Sequence, residues 1–183
     1  RLDSAGCLII GDIAGIVNAP SGTGNIRTSI RNYNYNNHNY GHFVYAGSAS
    51  VQLTGNGLPL RIASLTINKT APTAVVRLIN PAAGTGSYSV TTPLANQFMV
   101  YDSLHIQQGQ LDLSSNGSNT RSNWRDIFVA GNIRFGVGGR LVQRYGETGG
   151  DGSGNDNGLN LKNSAGIYLF GTKEQQIISP DTL

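Results

Sequence analysis

The segments Ser64-Leu-Thr-Ile-Asn-Lys-Thr70 and Gln107-Gln-Gly-Gln-Leu-Asp-Leu113 decide the fold class of this 183-residue chain. In both, apolar and polar side chains alternate, and a period of two is that of a β-strand with one buried face. No window of eleven residues shows the spacing of an amphipathic helix. The side chains that we predict to point into the core, in these segments and beside them, are Leu65, Ile67, Leu104, Ile106, Leu111 and Leu113.

Short apolar or alternating runs recur along the rest of the chain. Most are about 3 to 10 residues long and end at glycine, asparagine, serine or proline, which is the pattern of an all-β protein. The sequence therefore predicts an all-β fold with almost no helix. One arrangement that it leaves open is a β-sandwich or jelly roll of about seven to nine antiparallel strands.

The composition favours an extracellular β-protein. Charged residues make up 13% of the chain, about half of the ~25% found in ordinary soluble domains, and glycine, amides and hydroxyls take their place. The net charge of +3 comes from scattered basic residues, whereas a nucleic-acid surface needs them clustered on one face. No apolar run approaches the ~18 residues of a membrane span. We predict neither nucleic-acid binding nor membrane insertion.

Two pairs of segments indicate an internal repeat of some 120 residues. Residues 6–13 align with residues 126–133, and residues 43–53 align with residues 167–177 in the same order and at a similar offset. Self-similarity at a fixed period is typical of repeat architectures. We expect a single segment over residues 1–183, with a first copy in residues 1–120 and a partial second copy in residues 121–183, cut from a longer chain.

The order of these motifs resembles the repeats of long extracellular adhesin-type proteins of Bacteroidota. The stretches that match are residues 43–53, 61–70, 100–113 and 167–178. The resemblance implies a right-handed parallel β-helix or β-solenoid, export through the type IX route and display on the cell surface. It also implies a sorting domain beyond Leu183. The chain departs from the family pattern in residues 71–92, where a longer spacer interrupts it.

The resulting hypothesis is a structural or adhesive repeat module of a large secreted surface protein. Its partners would be neighbouring repeats of the same chain and surface glycans or polysaccharide. A carbohydrate-binding β-sandwich is one alternative, and a β-helical polysaccharide-active enzyme or phage fibre is another. No nucleophile elbow, H-E-x-x-H or phosphate-binding loop occurs, and the ten acidic residues show no pairing at strand spacing. We therefore predict no catalytic residues.

Two loops carry candidate binding residues. Tyr33, Tyr35 and Tyr40 alternate with asparagines, and we interpret them as the best candidates for stacking on sugar rings. Asp151, Asn155 and Asp156 lie in a glycine-rich loop and offer oxygen ligands to Ca²⁺. Their spacing matches no EF-hand, so a plain glycine turn is the alternative, and no other cofactor is expected.

Three short motifs resemble the D-S/T-aliphatic acceptor for O-glycosylation in exported Bacteroidota proteins. They are Asp3-Ser4-Ala5, Asp102-Ser103-Leu104 and Asp181-Thr182-Leu183. The resemblance predicts O-linked sugar on Ser4, Ser103 and Thr182.

Overall fold

A computed structural model describes residues 6–17, 26–27, 41–79, 98–114, 125–142 and 167–180 of the chain. Within these ranges there are twelve β-strands and no helix. The strands are β1 (Cys7–Ile10), β2 (Ile16–Val17), β3 (Ile26–Arg27), β4 (His42–Gly47), β5 (Val51–Leu53), β6 (Arg61–Lys69), β7 (Val75–Arg77), β8 (Phe98–Asp112), β9 (Ile127–Val129), β10 (Asn132–Val142), β11 (Ile167–Leu169) and β12 (Ile177–Ile178). The prediction of an all-β chain is confirmed for this part of the molecule.

Every strand pairing in the described ranges is parallel. The main sheet has ten strands, six of which follow one another in the order β1-β4-β6-β8-β10-β12, and β2 pairs with β3 separately. Parallel neighbours cannot be joined by a tight hairpin, so the chain must travel around the molecule between one strand and the next. An antiparallel sandwich or jelly roll has no counterpart among these pairings.

The chain winds repeatedly through the sheet, and we call the segments formed in one winding a level. Corresponding segments of successive levels stack side by side into three columns. Column A contains β1, β4, residues 64–69, residues 103–108, residues 132–135 and β12. Column B contains β5, β7, residues 110–112 and residues 140–142. Column C contains residues 61–62, residues 98–100, β9 and β11.

The sheet curls because its long strands bend from one column into the next. β6 and β8 each pass through column C and column A, and β8 and β10 continue into column B. Register irregularities mark these bends, as expected where a strand must change direction; they lie between Ile62 and Ser64, between Ile67 and Asn68, and between Phe135 and Gly138.

The core lies inside this curl. In column A, Phe43, Leu65 and Leu104 occupy one register row and are fully buried. Parallel strands lie about 4.8 Å apart, so side chains of one row pack directly against each other, and each burial contributes about 1.5–3 kcal/mol. All six predicted core residues (Leu65, Ile67, Leu104, Ile106, Leu111 and Leu113) are 0% exposed, which confirms their predicted orientation.

Two corners of the curl are bridged by glutamine side chains. The Nε2 of Gln52 donates to the carbonyl oxygens of Ile10 and Asp12 in the level above, each at 2.9 Å. The two carbonyls lie two residues apart where the chain turns, and a carboxamide has two N–H groups, one for each of them. The oxygen of Asp12 also accepts from the backbone N–H of Gly15 at 3.1 Å. The Nε2 of Gln175 makes the same pair of bonds to Val129 and Gly131, again at 2.9 Å.

The corner of Gln52 also contains a buried ammonium group. Lys69 is 1% exposed, and its Nζ donates to the oxygen of Ala46 at 3.0 Å and to Oε1 of Gln52 at 2.8 Å. Burial lowers the pKa of Lys69 from its ordinary value of 10.5. The stem of Lys69 passes over Gly109, where a Cβ would lie 2.7 Å from the Cγ of the lysine.

The segments that the sequence aligned as a repeat lie in different columns. Residues 7–10 belong to column A and residues 127–129 to column C, and the same holds for residues 43–47 and 167–169. The sequence distance between paired residues in successive levels ranges from 22 residues (Phe43 to Leu65) to 44 residues (Ile133 to Ile177). The repeat of some 120 residues stays a prediction.

Candidate functional site

Most of the predicted site residues lie outside the described residues. These are the three tyrosines Tyr33, Tyr35 and Tyr40, the proposed calcium ligands Asp151, Asn155 and Asp156, and the glycosylation candidates Ser4 and Thr182. Ser103 is described, and it lies half-buried at the start of the column A segment of β8. Its glycosylation stays a prediction.

The outer face of column A presents polar side chains in register on its middle strands, with the apolar Val44 and Ile178 at either end of one row. Because successive residues of a strand point to opposite faces, the residues between the core positions of this column point outward. Thr66, His105 and Arg134 form one row across three strands. Ser64, Ser103 and Asn132 form the neighbouring row. We call these two rows the polar face.

Part of the polar face is held by hydrogen bonds. The Nδ1 of His42 and the Oγ of Ser64 lie 2.7 Å apart, and Ser64 is 8% exposed. The Oδ1 of Asn132 accepts a hydrogen bond from the backbone N–H of Gln176 at 2.9 Å. These bonds fix one row, whereas no hydrogen bond or ion pair within the described ranges engages the side chains of Thr66, His105 or Arg134.

The electrostatics of the polar face are set by His105 and Arg134. Burial lowers the pKa of His105 from 6.5, and the neighbouring positive charge of Arg134 lowers it further. The imidazole is therefore neutral at pH 7, and the exposed guanidinium of Arg134 is the permanent charge of its row. Nothing in the sequence indicated that His105 and Arg134 are neighbours, because 29 residues separate two side chains that only the parallel register brings together.

An aromatic cluster covers the outer face of column C. The rings of Phe128 and Tyr168 stack with their centroids 4.8 Å apart and an interplanar angle of 14°. Phe170 packs edge-on against Phe128 at 6.4 Å and against Tyr101 at 5.8 Å. Phe128 is 1% exposed although it points away from the core. The cluster therefore acts as packing on the outside of the sheet, at about 0.5–1.5 kcal/mol per ring pair beyond burial.

The phenol of Tyr168 has a perturbed acidity. Burial raises its pKa, and the nearby carboxylate of Asp126 raises it further, because both disfavour a phenolate. The tyrosine is thus a neutral hydrogen-bonding group over the whole physiological range. Sequence reasoning did not identify this cluster, since Tyr101 and Phe170 are far apart in the chain.

No family model, curated protein or solved structure matches the chain. Among the described residues, no group of three or more His, Cys, Asp or Glu side chains is placed to hold a metal ion. The same part of the chain contains no helix long and apolar enough to span a membrane. The geometry of the polar face, the aromatic cluster and the buried corners is therefore the basis for any functional assignment.

Proposed function

We propose that this chain is a structural and adhesive repeat module of a large, secreted cell-surface protein, exported by the type IX route. In this proposal the levels are successive turns of a right-handed parallel β-helix, that is, a β-solenoid. Each turn contacts only the turns above and below it, so such a segment extends into a rod as turns are added.

The exposure of core positions at one end of the stack is the observation that carries the proposal. Ile177 lies in register with the buried Ile133 and so continues the inward row of column A. It is nevertheless 63% exposed, and Leu169 in column C is 47% exposed. At the opposite end, Ile10 is 0% exposed. A further turn stacked against Ile177 and Leu169 would bury this apolar surface, which is the main driving force for association.

The surface chemistry supports an adhesive role. With 13% charged residues, the module presents mainly hydroxyl and amide groups, which suit contacts to the hydroxyls of glycans. An array of such modules would attach through many weak contacts, since linked sites raise avidity by about 10² to 10⁴-fold. No single tight pocket is needed for that function.

Electron microscopy of the full-length parent protein tests this proposal. We expect rods that shorten by about 4.8 Å for each deleted turn, and surface proteolysis of intact cells should release the module. Adhesion of cells to a glycan-coated surface should fall steeply as turns are deleted. A compact globular parent, or one that stays protected inside the cell, would contradict the proposal.

A further inference from the structure

No hydrogen bond within the described residues engages the side chains of the row formed by Thr66, His105 and Arg134. Adjacent strands place these side chains at steps of about 4.8 Å. That step is close to the length of one pyranose unit in an extended polysaccharide. Asn68, which is exposed, extends the same face along β6.

The charge of this face is positive and sparse. Among the described outward-facing residues of column A there is no carboxylate, and Asp102 lies at the corner before the column begins. Arg134 is exposed, and its planar guanidinium offers paired N–H donors to a carboxylate or sulfate. The neighbouring hydroxyl of Thr66 and the neutral imidazole of His105 offer donors and acceptors for uncharged groups.

We infer that the polar face binds an acidic polysaccharide laid across the strands, with a carboxylate or sulfate of one sugar on Arg134 and sugar hydroxyls on Thr66 and Asn68. This inference rests on the proposed adhesive function and names the ligand class of one surface. Sugars between the charged units would lie over His105. Arg134 lies between His105 and Ile178 in its row. A single cation beside an imidazole, with a hydroxyl and an amide farther along the face, matches a ligand whose charges are spaced along an otherwise hydroxyl-rich chain.

Two other kinds of ligand fit this face less well. A nucleic acid carries one phosphate per nucleotide and is bound by clustered Lys and Arg side chains, whereas Arg134 stands alone in its row. A peptide that added as a strand would need an unpaired strand edge. β6, β8 and β10 each have a neighbour on both sides in column A, so their backbones are already engaged.

Affinity electrophoresis of the full 183-residue chain, produced without glycosylation so that Ser103 is bare, tests the inference. We expect polygalacturonate in the gel to retard the protein and neutral dextran to leave it unchanged. Arg134→Gln should weaken binding to polygalacturonate about tenfold, as expected for the loss of one charge-assisted contact. The matched control is Arg140→Gln, which removes the same charge from an exposed position in column B and should change binding less than about twofold. Thermal unfolding of each variant confirms that it is folded.

Three results would overturn the inference. One is equal weakening by both arginine variants, because binding would then reflect net charge alone. The second is retardation by dextran as strong as that by polygalacturonate. The third is retardation by single-stranded oligothymidylate as strong as that by polygalacturonate. A parent protein that forms surface rods but ignores polygalacturonate refutes this site and leaves the proposed module intact. A compact intracellular parent that binds polygalacturonate through Arg134 refutes the module and leaves the site intact.

Discussion

Gln52 and Gln175 bridge two corners of the molecule with the same pair of hydrogen bonds, yet their surroundings differ. Each carboxamide binds two carbonyl oxygens in the preceding level, all at 2.9 Å. Gln52 is fully buried, and its Oε1 accepts from the ammonium of Lys69. Gln175 is partly exposed, and its Oε1 accepts from the backbone N–H of Gly171 at 3.2 Å.

The same pair of hydrogen bonds can therefore contribute very differently to the free energy of unfolding, depending on how deeply it is buried. At the partly exposed corner, water can replace a lost hydrogen bond. At the buried corner, loss of the glutamine takes one hydrogen bond from the carbonyl of Ile10 and one from the ammonium of Lys69. Water cannot replace these bonds, so the cost is part of the desolvation of those groups. The stability of the stack should therefore depend far more on Gln52 than on Gln175.

The largest expected effect is that of Gln52→Leu. It removes the donors to Ile10 and Asp12 and one of the two acceptors of Lys69, so we expect a loss of about 3–5 kcal/mol in the free energy of unfolding. The matched variant Gln175→Leu should cost about 1 kcal/mol. Urea denaturation of both variants measures the difference, and similar losses would show that burial does not separate the two corners.

Gly109→Ala should have the next largest effect, because the added methyl group would press against the stem of Lys69 in the buried corner. Gly109 has a φ of +96°, and a Cβ there would lie 2.7 Å from Cγ of Lys69 and 3.0 Å from the oxygen of Ala74. We expect a destabilisation of about 2–3 kcal/mol from backbone strain and crowding. Gly11→Ala is the control, since a Cβ at that position meets no atom within 4 Å. Its midpoint of thermal unfolding should stay near that of the parent, and an equal fall in both variants would refute the crowding argument.

The smallest expected effect is that of Lys69→Met, and it depends on pH. At pH 7 the loss of two hydrogen bonds should cost about 1–2 kcal/mol. The pKa of Lys69 is lowered in the folded chain, so between that pKa and 10.5 the unfolded chain binds a proton that the folded chain does not. The free energy of unfolding of the parent therefore rises with pH across this window.

The methionine variant lacks this rise. The difference in free energy of unfolding between the parent and the variant should therefore widen as the pH approaches 10.5. Denaturation curves at several pH values measure it. Lys173→Met, which changes an exposed lysine, is the control and should show no such widening. A gap that stays constant or narrows with pH would mean that the ammonium of Lys69 carries no burial penalty.

The sequence did not predict the glutamine bridges, although its repeat alignment brought a related pair of glutamines together. The alignment paired Gln52 with Gln176, but the side chain that makes the equivalent bonds is Gln175. A shift of one residue moves a side chain to the opposite face of extended chain, and Gln176 is accordingly exposed. The spacing of residues in the sequence locates a bridging glutamine only to within one residue. Which of two neighbouring side chains points toward the corner depends on the path of the backbone.

The polar face illustrates the same limit. The sequence predicted that Leu104 and Ile106 point inward, and both are buried, so His105 between them lies on the outer face. Nothing in the order of residues indicated that Thr66 and Arg134 flank it, because the chain between successive levels varies from 22 to 44 residues. Loops of unequal length erase the period that would reveal which residues stack.

The sequence by itself determined the all-β class and the inward positions of its alternating segments, since the pleat of a strand sends neighbouring side chains to opposite faces. Tertiary structure alone decided which strands pair with which, that they form three columns, and that Lys69 meets Gln52 inside a corner; the parallel direction of the strands was already implied by the resemblance. Strand pairing depends on contacts between distant parts of the chain, and a buried ammonium is tolerated only where folding brings carbonyl oxygens around it.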